Sequence, residues 1–379
     1  MSTIIDAHAH VWDPERGDYG WLTPALPGLF RRIDPQELRS HLTRAGVSGA
    51  VLVQAAPTPA ESDYLLSIAQ RTSWVRGVVG WVGFDAPDVE QQIAKRAAQA
   101  KFVGVRPMLQ DIADADWILD PSRARALNAL ALHGLVFDAL IKPVHLSRIE
   151  KLARRHPELA IVIDHAAKPT IGASVDRAWR EGLRALASCE NVTCKLSGLL
   201  TEVAPEVAPT KVLEYAETVL QLFGPSRIIW GSDWPVLTLA SSYEQWYELT
   251  QRALSSLSEA ECSAVMGGNA ARIYRLKAHQ AAPAILLHPD DNVLVCCRAV
   301  RAGEQINLGS DEAIHVLQDT DLGHKLARRA LSAGDKVIKY GAPIGSMKGA
   351  VTAGGWIHLH NMKSDYISAH TRAERVDAT

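Results

Sequence analysis

The sequence predicts an α/β protein: a (β/α)8 TIM barrel followed by a small, β-rich C-terminal domain. Three observations predict it. Short apolar runs rich in β-branched residues alternate with segments of helical period, eight times before residue 240. Eight such units over about 275 residues match the size of a closed barrel, and no GxGxxG follows the first run, which disfavours a doubly wound sheet. Beyond residue 284 the runs shorten and glycines recur at close intervals, so a second architecture begins there.

In chain order the expected strands are Thr3–Val11, Gly49–Ala55, Val75–Val82, Phe102–Met108, Val136–Ile141, Ala160–Ala166, Val192–Gly198 and Ile228–Pro235. Helical period marks Pro35–Ala45, Ser62–Arg71, Val89–Ala100, Arg123–His133, Leu146–Arg155, Asp176–Ser188 and Thr210–Phe223, with a last helix near Ser258–Leu276. Residues 1–276 thus form the barrel domain. The alanine-rich, proline-containing stretch 277–283 reads as a linker. Residues 284–367 form the small domain, with strands at Ala284–Leu287, Asn292–Ala299 and Lys336–Lys339 and one helix over Asp321–Leu331; 368–379 is a polar tail.

Composition narrows the function. The chain has 379 residues, 47% hydrophobic and 22% charged, with a net charge of −2, which is globular and lacks the basic footprint of a nucleic-acid binder. No apolar run reaches the ~18 residues of a membrane span, and MSTIIDAHAH lacks the basic and apolar regions of a signal peptide. Five scattered cysteines without a CxxC make a disulfide framework improbable. A cytoplasmic protein without nucleic-acid or membrane partners is the expectation.

His8 and His10 alternate on the first strand, so both imidazoles project to one face. The sixth run ends in Asp164-His165-Ala166-Ala167-Lys168-Pro169 and the eighth in Gly231-Ser232-Asp233-Trp234-Pro235. Catalytic groups of such barrels sit at the C-terminal ends of strands, and strands 8 and 1 adjoin on closure. His8, His10, His165 and Asp233 therefore converge on one mouth. A carboxylate beside imidazoles can activate water, and a cationic or metal-bound group can stabilise an oxyanion.

DAHAH, DHAAKP and GSDWP, in that order, together with GVVGWV at Gly77–Val82 and GVRPM at Gly104–Met108, resemble the amidohydrolase superfamily, in particular its sugar-lactonase branch of fuconolactonase and rhamnonolactonase types. The resemblance spans residues 3–276. It implies hydrolysis of a sugar lactone, L-fuconolactone being the first expectation. Asp233 would be the base toward water. His8, His10 and His165 would hold the water and polarise the carbonyl. Arg106 would stabilise the oxyanion or fork onto substrate oxygens.

One departure bears on metal. Metal-dependent members carry a histidine at strand five, where this chain has Val136-Phe137-Asp138-Ala139-Leu140-Ile141, with His145 following in the next loop. The expectation is that no cofactor is required, with a zinc ion on His8, His10 and Asp233 as the alternative. The same departure argues against a metal-dependent amidohydrolase or decarboxylase. Around the mouth, Trp12, Trp81 and Trp234 are candidate platforms for a sugar ring, as is Trp21. Gln54, Asp138 and Lys168 are candidate partners of its hydroxyls.

The small domain resembles the small-subunit or N-terminal domain (SAF, β-clip) of altronate and galactarate dehydratases. The stretches that carry this are Ala284–Arg301, Gly323-His324-Lys325, Val337–Gly345 and His358-Leu359-His360-Asn361. The resemblance implies a partner, a separate large sugar-acid dehydratase chain. His358 and His360 would share a face, on a strand, and contribute to a composite site. An accessory subunit with a non-catalytic barrel is the competing expectation.

Overall fold

The computed structural model describes residues 3–277, 283–308 and 313–365. The chain divides into two compact units, Met1–Ala278 and His279–Thr379. The tail and most of the expected linker lie outside the described residues.

The first unit is the expected barrel. Its eight parallel strands are β1 (Ile5–Ala9), β2 (Gly49–Val53), β3 (Val75–Gly80), β4 (Phe102–Val105), β5 (Val136–Ala139), β6 (Ile161–Ile163), β7 (Val192–Leu196) and β8 (Ile228–Trp230), paired in sequence order. Closure between β8 and β1 runs through the residues just beyond the strand ends. His10 N–H donates to the Trp234 carbonyl (2.7 Å) and Asp233 N–H to that of His8 (2.8 Å). Every strand ends earlier than the sequence suggests, and the lost residues are those that turn into the mouth.

Outside lie α1 (Pro35–Arg44), α2 (Pro59–Arg71), α3 (Val89–Ala97), α4 (Ala124–His133), α5 (Leu146–Arg155), α6 (Arg177–Ala187) and α7 (Val212–Phe223). Their starts follow local chemistry. Asp34 caps α1 reciprocally with Glu37, ahead of Pro35, and Asp176 caps α6. Helix α8 (Tyr243–Ala253) was not anticipated, although Ser242 and Gln245 form a capping box. The expected helix Ser258–Leu276 is broken into α9 (Glu259–Ser263), a π-helical turn (Ala264–Gly268) and α10 (Asn269–Ile273). The break falls on Gly267 and Gly268, the weakest helix formers after proline.

The second unit is all β among its described residues. β9 (Ala284–Ile285), β10 (Val293–Cys296), β13 (Lys325–Ala327) and β16 (Trp356–Ile357) form a sheet of order 16-13-10-9. β11 (Gln305–Asn307) pairs with β12 (Ala313–His315). β14 (Lys336–Lys339), β15 (Ala342–Met347) and β17 (Met362–Lys363) form the third sheet. The helix expected over Asp321–Leu331 is not formed. Its centre is β13, where Leu326 and Ala327 are fully buried and paired with Leu294 and Val293, so tertiary pairing overrides helix propensity. His358 and His360 lie in the turn after β16 rather than on a strand.

Candidate active site

The site is built where β1, β4, β6, β7 and β8 end. Asp6 fastens its first half. One carboxylate oxygen accepts the backbone N–H of His8 (3.1 Å) and of Ser232 (2.8 Å), and the other accepts the Tyr243 hydroxyl (3.0 Å). The strand carrying both histidines is thereby tied to the loop carrying Asp233. Gly231 permits this approach, because a β-carbon there would collide with His8.

His165 is placed by unusual backbone. Residues 165–168 all have φ between 49° and 63°. Such left-handed geometry costs an L-residue roughly 1–2 kcal/mol, and it turns the ring back over the mouth. There Nδ1 bonds Ser197 Oγ (2.9 Å), leaving Nε2 3.8 Å from Asp233 Oδ1. Asp233 is also left-handed, with φ 61°.

Asp233 is the hub. Its Oδ1 lies 3.3 Å from His10 Nε2 and 3.7 Å from His8 Nε2. Burial pushes its carboxyl up, but His165, the bond from His10 and the charge of His8 outweigh this and hold it well below the usual carboxylate range. His165 moves the other way: burial, only partly opposed by Asp233 and Asp164, lowers it to about 4, so it is neutral at ordinary pH.

Behind these groups lies a fully buried ion cluster. Lys195 on β7 sits 2.7 Å from Asp138 and 2.9 Å from Asp164. The Tyr274 hydroxyl also bonds Asp138 (2.7 Å). Burial lowers the Lys195 ammonium, yet Asp138 and Asp164 more than restore it. Burial raises the Asp138 carboxyl to about 6 despite Lys195. Burial likewise works against ionised Asp164, but Lys195, His8 and Arg106 win and keep it charged. Arg106 Nη1 lies 3.3 Å from His8 Nε2. Guanidinium and ammonium only donate, and Lys195 Nζ stands 3.2 Å from His8 Nδ1, which also lies 3.3 Å from Asp164 Oδ1, so the His8 ring is held between a cation at each nitrogen.

A cavity of about 160 Å³ opens onto this cluster, lined by His10, Arg106, His165, Lys168 and Asp233 among others. His8 lies beneath it, fully buried. Five of the expected ring platforms and hydroxyl partners stand elsewhere. Gln54 is fully buried; its side-chain amide N–H donates to the Arg106 backbone carbonyl (2.7 Å) and its backbone carbonyl accepts from Arg106 Nη2, so it orients Arg106. Asp138 belongs to the buried ion cluster. Trp12 is core, its indole N–H bonded to the Leu29 and Arg31 carbonyls, and Trp234 is buried beside His41. Trp81 lines a neighbouring cleft. Sequence reasoning missed Lys195 and the role of Asp164. A lysine inside the apolar run VTCKL was the available signal, since a buried lysine needs carboxylate partners.

The donors fit a divalent cation. His8, His10 and Asp233 bring ligand atoms within 4.8 Å of one another, as do His8, Asp164 and His165. His10 supplies a further reason. Its Nδ1 donates to the Val53 carbonyl (2.7 Å), so a neutral ring aims the Nε2 lone pair at the Asp233 carboxylate. Two acceptors 3.3 Å apart call for a proton or a cation between them.

In the second unit, Trp356 Nε1 donates to His324 Nδ1 (3.0 Å), and the His324, Trp356 and His358 rings stack with centroids 5.0–5.4 Å apart. His360 lies 4.9 Å from Trp356. The His358 and His360 rings stack with centroids 6.5 Å apart.

A parallel barrel whose mouth gathers imidazoles, a carboxylate held ionised and a guanidinium defines a hydrolase built on a TIM barrel. Residues 5–276 match the amidohydrolase family, and the chain belongs to it. Residues 282–365 match the altronate/galactarate dehydratase SAF domain. The chain is similar to an L-fucono-1,5-lactonase of Burkholderia ambifaria, 44% identical over 280 residues, 73% of this chain and 97% of that one. An amidohydrolase from Burkholderia multivorans, crystallised with bound zinc, superposes with a TM-score of 0.69 at 34% identity, covering 73% of this chain and all of the other. The C-terminal unit is similar to the (2R)-sulfolactate sulfo-lyase subunit alpha of Paracoccus pantotrophus, 47% identical over 55 residues, 14% of this chain and 82% of that protein.

Proposed function

We propose that the barrel, residues 1–276, hydrolyses a sugar lactone of the L-fuconolactone class to its open acid. The carrying observation is the ionised Asp233 facing His10, His165 and Arg106 across a cavity of about 160 Å³. That is the share of roughly five liquid waters, the scale of one sugar ring. Water bound beside Asp233 gives its proton to the carboxylate as its oxygen attacks the lactone carbonyl. A carboxylate held so low is a weak base. Arg106 compensates by stabilising the oxyanion, with the Gln54 backbone carbonyl fixing its guanidinium. Neutral His165, with Nε2 3.8 Å from Asp233, then takes that proton from the carboxyl and passes it to the ring oxygen as the acyl C–O bond breaks, returning Asp233 to its ionised form. Lys168, at the rim, meets substrate hydroxyls. A divalent metal on His8, His10 and Asp233 would supply Lewis-acid polarisation and a more acidic water; zinc is the first choice, and hydrolysis does not require it.

Acid release from a panel of five- and six-membered sugar lactones, with and without chelator, tests this reading. Release from an L-fuconolactone-type substrate is expected. No release above background from any lactone overturns it.

Residues 284–367 are the docking module for a separate large sugar-acid dehydratase chain, which would consume the acid the barrel releases. The stacked His324, Trp356, His358 and His360 rings offer the flat face for that contact. Co-expression and pull-down should recover such a chain with the full-length protein. Its consistent absence, or recovery unchanged by His358→Ala with His360→Ala, refutes the docking reading.

A further inference from the structure

Beside the catalytic cavity lies a second and much larger one, of about 760 Å³. Trp21, Met108 and Asp111 line both, so the two spaces adjoin at one tryptophan. Trp21 is fixed there, its indole N–H bonded to the Ala55 carbonyl (2.7 Å) and its ring edge-on to Trp12. A single sugar ring fills the catalytic cavity and leaves this annex unexplained.

Its walls say what it takes. Trp81, Phe84, Ile112 and Trp117 give it flat, apolar sides. Three carboxylates stand among them. Asp85 is neutralised by Arg123, whose guanidinium also lies over Trp117 at 4.8 Å, and Asp18 by Arg16 at 2.7 Å. Asp111 has no ion pair among the described residues and receives only a 3.4 Å bond from Gln110. Anions are therefore disfavoured, flat apolar faces are favoured, and one acceptor waits at the junction.

We propose that the annex binds a second, neutral pyranosyl ring attached to the lactone, so that the preferred substrates are glycosylated lactones. A pyranose has an apolar face for the tryptophans and hydroxyl donors for Asp111. The proposal rests on lactone hydrolysis at the neighbouring site.

Two measurements keep the claims separate. Acid release is followed with plain aldonolactones and with aldobionolactones of several linkages, using the wild-type chain and Trp117→Leu. For at least one linkage KM should fall tenfold or more relative to the plain lactone. Trp117→Leu should abolish that gain while leaving plain-lactone kinetics unchanged. Tryptophan fluorescence of the Asp233→Asn variant, titrated with the same compounds, reads binding without turnover. Equal or higher KM for every aldobionolactone overturns the annex, as does a gain that survives Trp117→Leu. A phenyl-substituted lactone that gains while glycosylated ones do not overturns the pyranosyl assignment. If no lactone is hydrolysed, the lactonase reading falls and the fluorescence titration decides the annex alone: tighter binding of an aldobionolactone supports it, none overturns it.

Discussion

The imidazole of His165 occupies the space that a β-carbon on Gly198 would need. Gly198 is also left-handed, with φ 62°. Gly198→Ala is therefore strained twice, and His165 must leave Ser197. We expect kcat to fall at least tenfold, with a loss of about 1–3 kcal/mol in denaturant unfolding. Near-normal kcat would show that His165 need not be held so closely.

Asp233→Asn keeps shape and removes the base. Lactone turnover should fall roughly 10²–10⁴-fold with KM little changed, as read by acid release. A loss below tenfold would remove Asp233 from the chemistry.

Lys195→Met leaves Asp138 and Asp164 buried without their cation. Stripping one partner from a buried pair costs about 3–5 kcal/mol, so urea unfolding should shift strongly. Adding Asp138→Asn should recover part of the loss. Strict additivity of the two changes would contradict the ion cluster.

Glu61, under the Tyr19 hydroxyl at 2.6 Å, is pushed from 4.5 to about 7, burial outweighing that bond. The folded chain holds this proton more tightly than the unfolded one. The stabilisation is complete below 4.5 and is lost as pH rises through about 7. Melting temperature should therefore decline across that window, and Glu61→Gln should flatten the decline. An unchanged profile in the variant would place the effect elsewhere.

Dialysis against a chelator, with metal content measured before and after, should lower hydrolysis less than tenfold, because Arg106 still faces the carbonyl. Complete loss restored by zinc would make the metal essential.

The barrel was legible because its strands are continuous β-branched runs separated by segments of helical period. The chemistry at its mouth was legible because the residues recur at strand ends. What escaped the sequence depends on depth. Asp138 and Lys168 look alike as polar residues near strand ends, yet one is sealed against Lys195 and the other lines the cavity. Trp12 and Trp21 are nine residues apart, and only packing separates the core ring from the gatepost. The Asp321–Leu331 segment misled because alanine, leucine and arginine favour a helix wherever no sheet claims them.

The barrel's seam carries a kinetic consequence. His8, His10, Asp233 and Trp234 provide the backbone bonds that close the ring of strands, and three of them also provide the reacting side chains. Activity during refolding therefore serves as a clock for ring closure. A chain with seven strands assembled and the last seam open has most of its secondary structure and no catalytic centre, so regain of turnover should trail regain of circular dichroism.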